Sequence, residues 1–230
     1  MIKDRLHEVE LAIDEARARR TLVPQDESVR LIAVTKNHGI EEMREAIDAG
    51  AADIGENRIQ EAAGKKDTLQ RDVTWHLIGH LQTNKARQAV QYFDLIHSVD
   101  SEHLARAIDR EAGKIGKVQD ILVQVNLAKE ASKSGIYEED LHGLLDCIET
   151  MPNLRLRGLM CIAPNYDQVE TCRPLFRKMH EIYQRVKEIP YSTANIKYLS
   201  MGMTHDYRIA VEEGANIVRV GTAIFGPRQY

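Results

Sequence analysis

Lys36 stands at the end of a short apolar segment, where a lysine is well placed to do chemistry. The segment, residues 29–35, is rich in β-branched residues and has the length of a buried strand, and Asn37-His38-Gly39 ends it. If the strand belongs to a parallel sheet, its carboxyl end lies where α/β folds bind ligands. A desolvated lysine there has a lowered pKa and can form a Schiff base. On this segment alone, a solvated or ion-paired lysine is the simpler interpretation.

Small and hydroxyl-bearing residues cluster in two later stretches, at the ends of the last two apolar segments. Ser200 and Gly202 lie in the first stretch, and Gly221 and Thr222 lie in the second. Barrel folds bind phosphate with the loops after their last two strands and a helix N-terminus, and hydroxyl and backbone N–H groups suit that role. Ordinary turns and helix caps explain each residue singly. Combined with Lys36, they indicate a ligand that carries both an aldehyde and a phosphate.

The elements that must position these residues follow a repeated pattern of apolar strand and amphipathic helix. Eight strands are predicted, at residues 30–35, 53–56, 74–79, 95–99, 120–126, 155–161, 197–201 and 217–221. Helices are predicted between them, at residues 40–49, 59–69, 85–91, 101–112, 138–149, 168–186 and 205–213. Three of these helices are expected to end in a glycine C-cap, at Gly50, Gly113 and Gly214. An extra helix over residues 3–20 precedes the first strand and is expected to cap or flank the rest.

Eight strand–helix units in 230 residues predict an α/β fold, a (β/α)8 TIM-type barrel with an extra N-terminal helix. An open, doubly wound sheet is the alternative. Such a sheet seldom needs so many strands, and the Gly-x-Gly-x-x-Gly turn of dinucleotide-binding folds does not follow the first one. The sequence contains no linker and no low-complexity stretch, so residues 1–230 are predicted to form a single domain.

Composition and charge argue against several classes of protein. A net charge of -4 in a chain with 29% charged residues is unlike a nucleic-acid-binding protein, which would be basic. The first residues are too charged for a signal peptide and no apolar run reaches membrane-spanning length, so a cytoplasmic protein without membrane contact is expected. Three cysteines without metal-ligand spacing predict reduced thiols and no metal site: Cys147, Cys161 and Cys172.

Six motifs along the chain occur together and in order. They are Ala33-Val34-Thr35-Lys36, Gly55-Glu56-Asn57, Trp75-His76-Leu77-Ile78-Gly79-x-Leu81-Gln82-x-Asn84-Lys85, Lys133-x-Gly135, Leu199-Ser200-Met201-Gly202-Met203-x-x-Asp206 and Arg219-x-Gly221-Thr222-x-Ile224-Phe225-Gly226. Together they resemble the pyridoxal-phosphate homeostasis protein family, which looks like the barrel domain of alanine racemase standing alone. The resemblance covers nearly the whole chain, with no departure at Lys36 or in the last two motifs.

The resemblance implies seven cofactor-binding residues, namely Lys36, Asn57, Ser200, Met201, Arg219, Gly221 and Thr222. Lys36 would carry pyridoxal 5'-phosphate as an internal aldimine. Ser200, Gly221 and Thr222 match the positions that hold the phosphate group, and Met201 lies nearby.

The same resemblance implies further roles, and one of them has an equally good alternative interpretation. Arg219 matches the arginine that faces the pyridine nitrogen, and Asn57 lies on the loop beside the cofactor. Lys133 matches a loop lysine that would serve as a second, transient attachment point, and surface charge is an equally good interpretation. His76 alternates with apolar neighbours, so a hydrogen-bonded wall residue is a better interpretation than a catalyst.

Two features favour a cofactor carrier over an enzyme. The arginine that the resemblance implies at Arg219 would donate a hydrogen bond to the ring nitrogen without protonating it, which would make the ring a poorer electron sink, although racemases of this barrel type tolerate such an arginine. Racemisation needs an acid or base on each face of the substrate carbon, and only Lys36 is available. The sequence ends at residue 230, nine residues beyond Gly221, so no second domain that would supply the opposing base is expected.

The expected function is therefore pyridoxal-phosphate homeostasis, without catalytic residues. The protein would hold the cofactor on Lys36, act as a monomer and pass the cofactor to apo-enzymes by transient contact. Two alternatives stay open from the sequence. One is a pyridoxal-phosphate-dependent amino-acid racemase, and the other is a barrel enzyme in which Lys36 forms a Schiff base with a phosphorylated sugar.

Overall fold

Within residues 1–227, which this computed structural model describes, eight parallel strands form the centre of the fold. They are β1 (Arg30–Val34), β2 (Asp53–Glu56), β3 (Thr74–Leu77), β4 (Leu95–Val99), β5 (Gln119–Gln124), β6 (Leu154–Met160), β7 (Tyr198–Met203) and β8 (Ile217–Val220). Each strand pairs with the next along the chain, and β8 pairs with β1. This closed order confirms the predicted (β/α)8 barrel and excludes the open sheet. Residues 228–230 of the predicted domain lie outside the described residues.

Helices surround the barrel: α1 (Ile2–Arg17), α2 (Ile40–Asp48), α3 (Ile59–Leu69), α4 (Ala86–Tyr92), α5 (Glu102–Lys114), α6 (Glu138–Glu149), α7 (Arg173–Lys187), α8 (Tyr207–Glu212) and α9 (Thr222–Phe225). Short 3-10 turns at Thr83–Lys85 and Val169–Cys172 lead into α4 and α7. The prediction does not include α9, because four residues are too few for a helical period to be recognised. No helix of the described range is long and apolar enough to cross a lipid bilayer.

The N-terminal helix flanks the barrel, as predicted. Its buried face packs against α2, α8 and α9, and consists of Ile2, Leu6, Val9, Ala12, Ile13 and Ala16. Beyond the helix, the buried guanidinium of Arg20 donates hydrogen bonds to the carbonyl oxygens of Val211 (2.9 Å) and Glu27 (2.9 Å). It also donates to the carbonyl oxygen of Ala215. Because carbonyl groups from separate segments share one cation, the chain after α1 is tied to the end of α8.

The predicted helix end at Gly113 is wrong. α5 continues to Lys114, and Gly116, with a φ of +65°, follows as the left-handed residue. Gly113 lies inside the helix, and a Cβ there would lie 2.8 Å from the side-chain amide nitrogen of Asn153, which would have to move. A glycine inside a helix, close to a neighbouring side chain, therefore resembles a helix cap in the sequence. Gly50 and Gly214 do follow their helices, at φ of +118° and +99°, as predicted.

The barrel has two cores, because the side chains of a strand alternate between its inside and its outside. The inner core contains Ile32, Val34, Leu95, Leu122, Met160 and Ile217. A larger outer core between the strands and the helices includes Ala33, Met201 and Val218. Polar side chains share the interior with the inner core, each at most 3% exposed: His76, His97, Ser200 and Arg219. The interior of the barrel therefore has an apolar part and a polar part.

Candidate functional site

A cleft of about 320 Å³ opens at the carboxyl ends of the strands. Its volume lies near the lower end of the range for small-molecule sites, roughly 300–1,000 Å³. It is lined by Val34, Lys36, Asn57, Ile78, Ile162, Met203, Thr204, His205, Arg219, Gly221 and Thr222. Five of the seven residues predicted to bind a cofactor are among them, namely Lys36, Asn57, Arg219, Gly221 and Thr222.

Strand geometry turns Lys36 and Arg219 toward this cleft. Val34 and Ile217 point into the barrel, and the side chain two residues further along a strand lies on the same face. Lys36 therefore follows Val34 onto the inner side, just beyond the end of β1. Arg219 follows Ile217 within β8. The strand-end argument from the sequence thus brings both residues to one place.

The backbone of Asn57 is held by a close approach of Gly79. A Cβ at Gly79 would lie 2.3 Å from the carbonyl oxygen of Asn57, so a larger residue would force the loop to shift. The N–H of Ile78 donates a hydrogen bond to the carbonyl oxygen of Glu56 (3.0 Å), just before Asn57. β3 ends at Leu77, two residues before its predicted end, and the chain then passes against Asn57. The β3 loop therefore fixes the wall of the cleft that Asn57 forms.

A buried ionic network lies behind Lys36, and sequence reasoning does not find it. Lys65 of α3 donates hydrogen bonds from Nζ to Glu56 Oε1 (2.8 Å) and Glu61 Oε1 (2.6 Å). The same amine donates to the carbonyl oxygen of Thr35 (2.8 Å), and the backbone N–H after Lys36 donates to Glu61 (2.6 Å). Burial raises the pKa of Glu56, and the hydrogen bond from Lys65 opposes that shift. The network fixes the backbone on both sides of Lys36, and its signal in the sequence is the i, i+4 spacing of Glu61 and Lys65.

Arg219 is buried at the floor of the cleft, where uncharged oxygen atoms accept its hydrogen bonds. Nη1 donates to Ser200 Oγ (2.5 Å), and Nη2 donates to the carbonyl oxygen of Cys161 (2.9 Å). Burial lowers the pKa of the guanidinium, but arginine stays protonated in proteins. Burial also raises the pKa of the Cys161 thiol to about 12, so this cysteine packs as a small hydrophobic group.

Ser200 and Met201 are not among the residues that line the cleft. The Ser200 hydroxyl lies inside the barrel, between Arg219 and the Nδ1 atom of His97 (3.0 Å). Met201 is on the opposite face of β7 and packs in the outer core. The direct phosphate contacts predicted for Ser200 and Met201 stay predictions.

The turn after β7 brings a different hydroxyl residue, Thr204, to the cleft. β7 continues to Met203, two residues beyond its predicted end, and Thr204 Oγ1 accepts a hydrogen bond from the Gly221 N–H (3.3 Å). Asp206 closes this turn, because its carboxylate accepts from the Met203 N–H (2.6 Å) and its own N–H donates to the Met203 carbonyl oxygen (3.0 Å). α8 begins at Tyr207, with Asp206 as the N-cap residue. Sequence reasoning misses Thr204 because it ends the strand too early.

Two other residues singled out in the sequence do not line the cleft. The Lys133 amine pairs with Glu130 (2.5 Å) and donates to the carbonyl oxygen of Ala163 (3.3 Å), so its role as a second attachment point stays a prediction. His76 is buried inside the barrel and hydrogen-bonded at both ring nitrogens, as predicted. Among the described residues, no group of three or more His, Cys, Asp or Glu side chains is arranged to hold a metal ion.

Known proteins share both the sequence and the fold. The sequence profile of the family described as "Alanine racemase, N-terminal domain" matches residues 14–229. The pyridoxal phosphate homeostasis protein of Aquifex aeolicus is 41% identical over 202 residues, which cover 87% of this chain and 88% of the relative. The protein of the same name from Escherichia coli is 36% identical over 209 residues, which cover 89% and 88%.

A solved structure agrees with these sequence matches. PipY of Synechococcus elongatus, whose structure has PLP bound, superposes with a TM-score of 0.85 at 39% identity, covering 98% of this chain and 100% of that one. Fold and cleft together define a racemase-type barrel with a lysine at the carboxyl end of its first strand. The chain belongs to the pyridoxal phosphate homeostasis protein family, as its motifs predict.

The similarity to a solved alanine racemase supports the fold alone. The enzyme of Clostridium difficile superposes with a TM-score of 0.74 at 13% sequence identity. The match covers 96% of this chain but 59% of the racemase. The racemase therefore contains this barrel together with a large part that has no counterpart in the match.

Proposed function

We propose that this protein binds pyridoxal 5'-phosphate through Lys36 and buffers the free cofactor, without turning over a substrate. The observation that supports this proposal most is that Lys36, Arg219 and the turn at residues 221–222 line the same small cleft. The relatives support the proposal, because they are named pyridoxal phosphate homeostasis proteins and PipY has PLP bound in its structure.

The cleft offers a partner for the aldehyde and for the ring of the cofactor. The Lys36 amine is the group that would bind the aldehyde carbon, with release of water, and exchange with another amine reverses that bond. A guanidinium has five N–H donors, more than Arg219 uses toward Ser200 and Cys161, so it can also serve the ring nitrogen. Asn57 lines the cleft beside Lys36. When bound, the pyridine ring withdraws electrons from an amine joined to the aldehyde carbon.

The phosphate of the cofactor fits the turn between β8 and α9. α9 begins at Thr222, and the first backbone N–H groups of a helix have no carbonyl partner inside the helix. The Gly221 N–H and Thr204 Oγ1 lie 3.3 Å apart at the same place. A Cβ at Gly221 would lie 3.3 Å from atoms of β1, so a side chain there would crowd the turn. We assign the phosphate to Thr204, Gly221 and Thr222, with Ser200 and Met201 supporting them from β7.

Arg219 favours storage over catalysis. It donates a hydrogen bond without protonating the ring nitrogen, which leaves the ring a weak electron sink. Racemisation also needs an acid or base on each face of the substrate carbon. Among the described residues that line the cleft, His205 is the candidate besides Lys36, and it is the observation that favours the racemase alternative. His205 directly follows Thr204, one of the residues that we assign to the phosphate, which argues against that role.

Absorbance spectroscopy tests the binding proposal. After incubation with pyridoxal phosphate, the wild-type protein should show a visible band that borohydride bleaches. Lys36→Arg keeps the positive charge but should lose the band, whereas Lys114→Arg, at a surface lysine paired with Glu111, should match the wild type. An unchanged band in Lys36→Arg would overturn the proposal. A protein that stays colourless would also overturn it and would favour the sugar-phosphate alternative.

Deuterium exchange separates storage from racemisation. The loaded protein is incubated with L-alanine and other amino acids in heavy water, and exchange at the α-carbon is followed by NMR. Storage predicts no exchange above that of free cofactor. Exchange at enzymatic rates that is lost in both Lys36→Arg and His205→Asn would establish the racemase instead.

We also propose a monomer in the cytoplasm that loads apo-enzymes by transient contact. Free thiols at all three cysteines are what a reducing compartment maintains. Sedimentation velocity tests the monomer, and a dimer would contradict it. For the transfer, the rate of apo-enzyme activation by the loaded protein should rise with apo-enzyme concentration. A rate that stays equal to spontaneous cofactor release would contradict direct contact.

A further inference from the structure

A continuous chain of hydrogen bonds crosses the polar part of the barrel interior. Arg219 Nη1 contacts Ser200 Oγ (2.5 Å), and Ser200 Oγ contacts His97 Nδ1 (3.0 Å). His97 Nε2 contacts His76 Nδ1 (3.0 Å), and His76 Nε2 contacts Asp53 Oδ1 (2.7 Å). All five residues are at most 8% exposed. The five residues come from five different strands, β2, β3, β4, β7 and β8, so this chain of hydrogen bonds depends on the closed barrel.

The chain connects the cleft with the opposite end of the barrel. Arg219 lines the cleft, whereas Asp53 is the first residue of β2, at the amino ends of the strands. There Asp53 Oδ1 also accepts a hydrogen bond from Arg30 Nη1 (3.0 Å), and both residues line an opening beside α1. Burial, and to a lesser extent the nearby guanidinium groups of Arg219 and Arg30, hold the pKa of His97 well below its ordinary value, so this imidazole is neutral.

The chemistry of the two ends gives the chain one direction. Asp53, ion-paired with Arg30, only accepts hydrogen bonds, so His76 carries its proton on Nε2 and its Nδ1 accepts. His97 then donates from Nε2, and its Nδ1 accepts the Ser200 hydroxyl proton. The Ser200 oxygen is left to accept from Arg219, which only donates. A reversed chain of neutral imidazoles would place the unprotonated Nε2 of His76 against the carboxylate oxygen of Asp53, where neither atom can donate.

We infer that Asp53 is a positioning residue for the cofactor site, which fixes the tautomers of His76 and His97 and thereby holds Arg219 through Ser200. The last link, from Arg219 to the cofactor, rests on the proposed function. The tautomers do not, because they are a property of the protein before any ligand binds. The two parts of the inference are therefore tested separately.

The tautomers are measured by 15N NMR of the imidazole nitrogens in the cofactor-free protein. His76 and His97 should both carry a proton on Nε2 and accept a hydrogen bond at Nδ1. In Asp53→Asn, whose amide can donate, His76 should move its proton to Nδ1 in at least part of the molecules. A wild-type His97 protonated on Nδ1 would overturn the inference, whatever the protein binds.

The cofactor link is measured by titration of the same variants with pyridoxal phosphate. Asp53→Asn should bind roughly tenfold more weakly, the effect of losing one hydrogen bond to a charged group, and should shift the visible band. Asp53→Glu, which keeps the acceptor, should recover most of the affinity. Asp120→Asn is the matched control, because Asp120 pairs with Arg155 (2.5 Å) at the amino end of β5 and is outside the chain.

Equal losses in Asp53→Asn and Asp120→Asn would overturn the cofactor link, because any ion pair at this end would then matter alike. If Asp53→Asn does not fold, Ser200→Ala carries the same test, since it cuts the chain next to Arg219. A wild-type affinity in folded Ser200→Ala would also overturn the link. If the wild-type protein does not bind pyridoxal phosphate, the proposed function is wrong, and the 15N NMR measurement alone then tests the tautomers.

Discussion

The two cationic residues of the cleft have different neighbours. Lys36, on the side formed by β1 and β2, lies next to a network of charged side chains, whereas Arg219, on the side formed by β7 and β8, donates hydrogen bonds to uncharged groups. Lys65 pairs with Glu56 (2.8 Å) and engages the backbone next to Lys36. Arg219 instead donates to the Ser200 hydroxyl and to a backbone carbonyl group. The two cationic residues of one small site are thus supported by different chemistry.

The difference follows from what each residue has to do. A lysine that makes and breaks a bond needs a fixed backbone, and the ionic network of Lys65, Glu56 and Glu61 supplies one through its hydrogen bonds to the backbone on both sides of Lys36. An arginine that serves a ligand needs to be oriented without being neutralised. The hydrogen-bond partners of Arg219 carry no charge, so they orient the guanidinium and leave its charge for the ligand.

The largest effect is expected from breaking the ionic support with Lys65→Met. Glu56 would keep a buried carboxylate without its cation, so the free energy of unfolding should fall by about 3–5 kcal/mol. Urea denaturation followed by circular dichroism measures the change. Lys114→Met, at a lysine that is 60% exposed and also paired, should change it by less than about 0.5 kcal/mol. Equal effects of the two variants would show that the network does not stabilise the β1 side.

A smaller effect is expected from Gly79→Ala, which acts on the wall between the two sides. The added Cβ would lie 2.3 Å from the Asn57 carbonyl oxygen, so the loop has to shift, at a cost of about 1–3 kcal/mol in unfolding free energy. Cofactor affinity should fall with it, because Asn57 lines the cleft. Gly64→Ala is the control, since a Cβ in α3 at that position meets nothing within 4 Å and should stabilise the helix by about 1 kcal/mol. A Gly79→Ala variant as stable as the wild type would contradict the close approach.

The smallest effect concerns pH and the neutral support of Arg219. Burial holds the pKa of His97 well below its ordinary value of 6.5. Below pH 6.5, His97 therefore binds a proton in the unfolded chain but not in the folded protein. Its contribution to stability is present above pH 6.5 and is lost as the pH falls below it, by up to about 1.4 kcal/mol per pH unit. His97→Asn should flatten this part of the stability curve.

Urea denaturation at several pH values between about 7.5 and about 5, which bracket the ordinary histidine pKa of about 6.5, measures that slope. His7→Gln, on the exposed side of α1, controls for the replacement of a histidine as such. Parallel curves for the wild type and His97→Asn would contradict the neutral support.

Sequence patterns predict the parts of this site that depend on local periodicity. Lys36 and Arg219 reach the cleft because each lies two residues beyond an inward-facing strand residue, and the alternation is visible in the sequence. The strand order follows equally from the repeated strand–helix units. These predictions need no knowledge of which residues meet across the barrel.

The parts that sequence patterns miss depend on long-range contacts or on unusual backbone. β7 continues through a bulge at which Gly202 has a φ of +96°, whereas a glycine in a sequence usually indicates a strand end, so Thr204 is overlooked. The partners of Lys65 and the chain from Asp53 to Arg219 come from several strands. Their residue types are visible in the sequence, but their contacts exist only in the closed barrel.

Mapping the attachment point tests the central claim most directly. The protein is loaded with pyridoxal phosphate, reduced with borohydride and digested, and the modified peptide is identified by mass spectrometry. We expect the cofactor on the peptide that contains Lys36 at one equivalent per chain. A modification that falls mainly on Lys65 or Lys133, or is spread over surface lysines, would contradict the account, because Lys36 would then not be the residue around which the cleft is built.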